Sequence, residues 1–197
     1  MNITNITFKL LILLGGILLI QGCSQPGVLF NQDKKIHKVA EMRTWHAEGK
    51  LAIIEKHNIT STNFRWYQRE QQLRINFINN FGFGTAQLDG TYNNFTLRIS
   101  NGQVIKAENG EQLIAQKLGI HIPLSSLHYW LRGLVDQTLK VDSQHRDKEN
   151  LLTNLSQGGW HISYASYVQY NSVYLPCKIY LVNDAIRIKI FITNWYQ

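Results

Sequence analysis

Apolar residues first recur at three- and four-residue spacings, at Ile36, Val39, Ala40 and Met42. This predicts an amphipathic helix from about Asp33 to Thr44, with Asp33 as its cap or first-turn acid. From Trp45 the period drops to two. Leu51 and Ile53 alternate with Lys50 and Ala52, Phe64 and Trp66 with Arg65 and Tyr67, and Leu73, Ile75 and Phe77 with Arg74 and Asn76. Each run reads as a strand with one apolar and one wet face. The connectors Lys56–Asn58 and Gln68–Gln71 are short enough to join antiparallel neighbours. The same signal continues through Thr85–Leu88, Phe95–Ser100 and Val104–Ala107, with Asp89-Gly90 and Asn101-Gly102 as hairpin turn pairs.

Helical spacing returns in the middle of the chain. Glu111–Leu118 places Leu113, Ile114 and Leu118 on one face before Gly119, and a second segment from Pro123 carries Leu124, Leu127, Trp130 and Leu131 before Gly133. Ser125 and Ser126 read as helix-start chemistry rather than as nucleophiles. Strands resume at Thr138–Val141 and Leu151–Leu155, around a polar turn from Asp142 to Asn150, and at Trp160–Tyr164. A brief extended piece at Tyr174–Pro176 precedes a strand carrying Cys177, Ile179 and Leu181. The clearest alternation is the last, with Ile186, Ile188, Ile190 and Ile192 set against Arg187, Lys189, Phe191 and Thr193. About ten or eleven strands with about three helices is too much sheet to stay flat. The expected fold is mainly β with α: a curved antiparallel half-barrel lidded by the helices.

The N-terminus has a different pattern. Lys9 precedes the apolar run Leu10–Ile20, eleven residues long and ending in Gln21-Gly22-Cys23. That is the layout of an export signal and falls short of the roughly 20 residues of a membrane-spanning helix. The ending resembles a bacterial lipoprotein signal, with aliphatic Ile20, small Gly22 and the cysteine that receives diacylglycerol and an N-acyl (palmitoyl) chain. Gln21 is bulkier than such signals usually carry, and Ser24 stands where inner-membrane retention often uses aspartate, so the resemblance implies the outer membrane. The expected organisation is a signal peptide at 1–22, a lipidated N-terminus and tether at 23–32, and one domain at 33–197. About 175 residues after Cys23 suffice for one domain with a real core.

Charge and cysteine content narrow the chemistry. The net charge of +7 includes Lys9, and the basic residues are scattered rather than gathered into a nucleic-acid footprint. With Cys23 consumed by lipid, Cys177 has no intramolecular partner and reads as a core hydrophobe. His37, His46, His57, His121, His128, His145 and His161 show no metal-ligand spacing, and neither a nucleophile elbow nor a phosphate-binding glycine loop occurs. The expectation is a non-enzyme without metal or cofactor. Five Trp, eight Phe and nine Tyr are many for a half-barrel, and by composition alone they fit a solid core.

An ordered set of short motifs turns that balance. Trp45, Gly49-Lys50-Leu51-Ala52, Phe64-Arg65-Trp66, Asn80-Phe81-Gly82, Gly119–Leu124, Leu127, Trp130-Leu131, Gly133, Gln157, Gly159-Trp160, Tyr164, Pro176, Arg187-Ile188-Lys189 and Asn194-Trp195 together resemble the outer-membrane lipoprotein receptor family LolB. The resemblance spans essentially the whole chain. It implies an apolar cavity under the helical lid, with Phe64, Trp66, Phe77, Leu127, Trp130, Leu131 and Trp160 as candidate cavity or lid residues. It also implies a protruding loop whose apolar tip enters the membrane. The family's Asn-Pro-Leu-Gly reads Asn79-Asn80-Phe81-Gly82 here, followed by Phe83, so a phenylalanine replaces the leucine and the proline is lost. The implied function is to take lipoproteins, through their acyl chains, from a LolA-type periplasmic carrier and insert them into the inner leaflet of the outer membrane. The implied protein is a lipid-anchored monomer facing the periplasm, in contact with outer-membrane phospholipid and not with nucleic acid. The alternative is an envelope lipoprotein of the same build with another hydrophobic cargo.

Overall fold

The computed structural model describes residues 36–197 apart from 57, 79–84, 92–93 and 119–120. These residues belong to one compact unit, Gln32–Gln197, and its buried apolar core runs from Val39 to Trp195. The unit therefore contains a complete core of its own. The signal at 1–22, the tether at 23–32 and the proposed start of the first helix at Asp33 lie outside the described residues.

Chain order begins with α1 over residues 36–40. Six strands follow: β1 (Thr44–Glu55), β2 (Asn58–Arg69), β3 (Gln72–Ile78), β4 (Ala86–Thr91), β5 (Asn94–Ile99) and β6 (Val104–Ala107). Two helices, α2 (Gly110–Leu118) and α3 (Leu124–Trp130), separate these from β7 (Val141–Arg146), β8 (Leu152–Gln157), β9 (Trp160–Tyr170), β10 (Val173–Val182) and β11 (Arg187–Tyr196). All eleven strands form one sheet in the order β6-β5-β4-β3-β2-β1-β11-β10-β9-β8-β7. Every pairing is antiparallel. The sheet is open, because β6 and β7 are its two edges and do not pair. The half-barrel expectation holds, and the barrel does not close.

That strand order explains where the helices must lie. The chain leaves β6 at one edge and re-enters at β7 on the other, so α2 and α3 have to cross a face of the sheet to bridge the edges. They cross the face that carries the alternating apolar residues, and Leu113, Ile114, Leu124, Leu127 and Leu131 are buried there. Asn109 starts α2 by accepting the Glu111 and Gln112 amides on its Oδ1 at 2.8 and 3.1 Å. Gly133, at φ +72°, stands where the second helix was expected to stop. Joining β1 to β11 needs a bulge, with Glu48 opposite Asn194 but Gly49 opposite Ile192. A Cβ at Gly49 would lie 2.0 Å from the Phe191 carbonyl oxygen, so only glycine permits this approach.

Several local expectations are corrected. Thr44 belongs to β1, and α1 ends by Ala40. Asp89-Gly90 is strand rather than turn: Gly90 pairs with Phe95, and Asp89 is held on the sheet by Arg74 and Arg98. Asn101-Gly102 does turn the chain, with Gly102 at φ +85°. Residues 138–140 are not strand, and the supposed polar turn from Asp142 contains most of β7. As an edge strand exposed along most of its length, β7 has no buried face to impose alternation. Tyr174–Pro176 and the Cys177 strand are one continuous β10, bulged around Pro176–Ile179. Cys177 sits in that bulge, half-buried with its Sγ 3.2 Å from Ser166 Oγ, not in the core. The Ser125 and Ser126 hydroxyls do not cap α3; they donate to Glu111 Oε1 (2.8 Å) and Asp136 Oδ2 (2.7 Å).

Candidate functional site

Period-two alternation puts every second residue of β1, β2 and β3 on the helix-covered face, and register aligns them across the strands. Phe64 pairs with Phe77, Trp66 with Ile75, and Leu51 with Ile190 of β11. With Ile53 they form one wall of a cavity; Ile114, Ile122, Leu124, Leu127 and Leu131 from the helical segment form the other. All of these side chains are apolar. The one polar atom among them, Trp66 Nε1, donates to Gln68 Oε1 at 2.9 Å, and Gln68 Nε2 donates to Glu70 O at 2.7 Å. The wall is thus dry, with its single donor satisfied beyond its rim. The space measures about 50 Å³, room for a few waters at most and far less than an acyl chain needs.

Five of the seven residues singled out in the sequence, Phe64, Trp66, Phe77, Leu127 and Leu131, come together here. Trp130 and Trp160 do not. Trp130 is on α3 but is fully buried beside Trp160, with ring centroids 6.4 Å apart. Its indole Nε1 donates to Gln157 Oε1 at 3.0 Å, and its carbonyl accepts Tyr164 Oη at 3.1 Å. Ile53, Ile75, Leu124 and Ile190 line the cavity without having been singled out. Ile75 and Leu124 share a strand or helix face with residues that were, and Ile53 and Ile190 lie on the apolar faces of their own alternating strands. Cys23, Phe81, Gly82 and Phe83 lie outside the described residues. The strand ends that flank the 79–84 loop are described: Phe77 pairs with Ala86, so the loop departs within two residues of the cavity wall.

A buried polar cluster holds the C-terminal end of the lid. Gln157 is fully buried, and its Oε1 accepts both Trp130 Nε1 and the Asp136 amide (3.1 Å). Its Nε2 donates to the Asp136 and Leu139 carbonyls at 2.8 and 3.0 Å. Burial raises the Asp136 pKa, but bonds from Ser126 and Thr138 outweigh it and hold the carboxyl below the usual range. Arg132, also buried, donates to the Val39 and Met42 carbonyls at 3.2 and 3.0 Å and to His128 O at 3.1 Å. Its guanidinium lies 5.7 Å from the Trp45 ring centroid, tying the exit of α1 to the end of α3.

His128 supplies a pH test of this packing. Burial first, and the adjacent Arg132 charge second, push its pKa down to about 4, while its Nδ1 donates to Ser125 O at 2.7 Å. The folded protein keeps the ring neutral where the unfolded chain, with a pKa of about 6.5, takes a proton. The stability this contributes is complete above about pH 6.5 and is lost as pH falls toward 4, by up to about 1.4 kcal/mol per pH unit. Urea unfolding at about pH 7.5 and 4.5 should show wild type losing about 2 kcal/mol more than His128→Gln. Equal losses would show that His128 does not carry the acid sensitivity.

The open antiparallel sheet laid around helices is a fold shared with solved structures. A LolA superfamily protein from Nitrosomonas europaea superposes with a TM-score of 0.51 at 4% identity, covering 85% of this chain and 92% of that one. A DUF1329 family protein from Desulfovibrio piger gives 0.52 at 5% identity, with coverages of 85% and 92%. At such identities the likeness is one of fold. Sequence carries the rest: the family described as "Outer membrane lipoprotein LolB" matches residues 43–195. Relatives named outer-membrane lipoprotein LolB include one from Francisella tularensis, 32% identical over 195 residues, covering 95% of this chain and 94% of its own. Another, from Nitrosococcus oceani, is 31% identical over 194 residues, with coverages of 95% and 96%. The chain belongs to the LolB family of outer-membrane lipoproteins, whose role is lipoprotein trafficking.

Proposed function

We propose that this protein accepts lipoproteins from a LolA-type periplasmic carrier and inserts them into the inner leaflet of the outer membrane. In this reading it is a monomer, held by acyl chains on Cys23 and facing the periplasm. The observation that carries the reading is the wholly apolar cavity between sheet and helices in a LolB-family chain. A cavity of about 50 Å³ has to widen to take an acyl chain, so loading parts α2 and α3 from the β1–β3 wall. Each acyl CH2 moved out of water contributes about 0.8 kcal/mol, so a fatty chain offsets the cost of opening an apolar lid. Hand-over then runs downhill in affinity from carrier to receptor to bilayer, without nucleotide hydrolysis at this protein.

Reconstitution tests this directly. Purified protein is mixed with a lipoprotein-loaded LolA-type carrier and then with liposomes, and labelled cargo is followed first onto the protein and then into the floating fraction. No transfer from the carrier would reject the proposal. Leu127→Ser tests the lid within the same assay: Leu127 lines the cavity and is 9% exposed. A hydroxyl there costs about 1–3 kcal/mol in an apolar site, so uptake should fall about tenfold while the sheet stays folded by circular dichroism. Unchanged uptake would remove the lid from the mechanism.

A further inference from the structure

The sheet has a second face, turned away from the helices, and cross-strand register maps it in rows. One row sets Lys50 beside Phe191 and Phe191 beside Lys178. The next sets Ala52, Lys189 and Tyr180 side by side, and a third Ile59, Ile54, Arg187 and Val182. Four cations stand in these three rows and no carboxylate does. Elsewhere the same face does carry carboxylates: Arg65 holds Glu48, and Arg74 and Arg98 share Asp89. Among the described residues no ion pair neutralises Lys50, Lys178, Lys189 or Arg187. Between them lie exposed apolar groups. Ile59 is 72% and Phe191 36% exposed, and Lys178 Nζ stands 5.4 Å from the Phe191 ring centroid.

We propose that this basic, apolar-studded patch on the outer face of β2, β1, β11 and β10 docks on an anionic phospholipid surface. The mixture decides for a bilayer over an acidic protein. Lysine heads reach lipid phosphates while their stems and the interleaved Ile59, Ile54 and Phe191 enter the headgroup layer; an acidic protein surface satisfies the cations alone. Position agrees. Ile78, the last residue of β3, pairs with Asn63, and Asn63 pairs with Lys50, so the patch reaches the end of the sheet from which the 79–84 loop departs. The inference rests on the membrane-facing reading above for its orientation, and its own test is independent of cargo.

That test is flotation of the Gln32–Gln197 unit with vesicles of phosphatidylcholine, alone or mixed with phosphatidylglycerol. Binding should appear only with phosphatidylglycerol and should weaken as salt is raised. Each lysine near an anionic surface contributes about a factor of five, so Lys50→Gln, Lys178→Gln and Lys189→Gln combined should weaken binding about 100-fold. Phe191→Ser should weaken it severalfold, with the deficit persisting in high salt. Failure of the wild-type unit to float with phosphatidylglycerol, or undiminished flotation of the triple variant, would overturn the inference. So would a triple variant that binds vesicles normally but no longer takes cargo from the carrier, since the lysines would then form a protein-docking surface. Wild type that floats with phosphatidylglycerol but accepts no cargo would reject the proposed function and leave this patch standing.

Discussion

Replacing Gln157 by Leu is expected to lower folding stability by about 3–5 kcal/mol, although the side chains are similar in size and the new one is apolar. The primary amide has two donors and a carbonyl with two lone pairs, and at Gln157 all four are used: two N–H groups come in and two carbonyls are bonded. Leucine would strand the Trp130 indole N–H, the Asp136 amide and the Asp136 and Leu139 carbonyls where no water replaces the amide. Each abandoned buried group costs about 1–3 kcal/mol before relaxation. For a domain of this size, each kcal/mol moves Tm by about 2–4 °C, so a drop of roughly 6–20 °C should be seen by thermal unfolding. Gln157→Glu should be destabilising too, because a carboxylate keeps the acceptor role and loses both donations. A loss below about 1 kcal/mol for Gln157→Leu would mean that the cluster relaxes and does not fasten the lid.

That cluster is also where reading the chain in one dimension stops. Alternation located the β2 and β3 walls and β11 because each has one face against the core and one in water, and Phe64, Trp66 and Phe77 follow from it directly. The fixed end of the lid has no such signal. Gln157 from β8, Asp136 and Leu139 from the segment after α3, and Arg132 reaching back to Val39 and Met42 are distant in sequence, and each alone looks like a surface residue. In the sequence Gln157 stands out only as part of the LolB pattern. Asp89-Gly90 failed for a related reason. Its local turn preference was overridden by two arginines on neighbouring strands and by a close backbone contact, where a Cβ on Gly90 would sit 2.2 Å from Asn94 O. β7 was misplaced because an exposed edge strand buries neither face. The resemblance implies Trp130 and Trp160 as cavity or lid residues; Trp130 is on the lid helix, where its bond to Gln157 turns it from the cavity, and Trp160 packs beside it.

Phe81→Glu is expected to leave cargo acceptance nearly intact and to slow release into liposomes at least tenfold. The loop carrying Phe81 joins β3 to β4, and Phe77, four residues before it, belongs to the cavity wall. An opening on this side would therefore deliver an acyl chain close to the loop. The LolB resemblance implies that the Phe81 ring enters the membrane interface, where removing it from water contributes about 1.5–3 kcal/mol. That is too little to hold the protein on a membrane and enough to bring a loaded cavity to the lipid surface for the moment of transfer. Glutamate reverses the sign, because a carboxylate resists leaving water. In the proposed function acceptance from the carrier uses the apolar cavity walls, so it should not change. The measurement loads folded variant and wild type with labelled lipoprotein, adds liposomes and follows label into the floating fraction over time. Phe83→Glu in parallel shows whether the second ring shares the role: an equal defect places both rings in the membrane, and a weaker one places Phe83 at the loop base. Normal release by Phe81→Glu would refute the membrane contact. Failure already at loading would assign Phe81 to the cavity or to the fold.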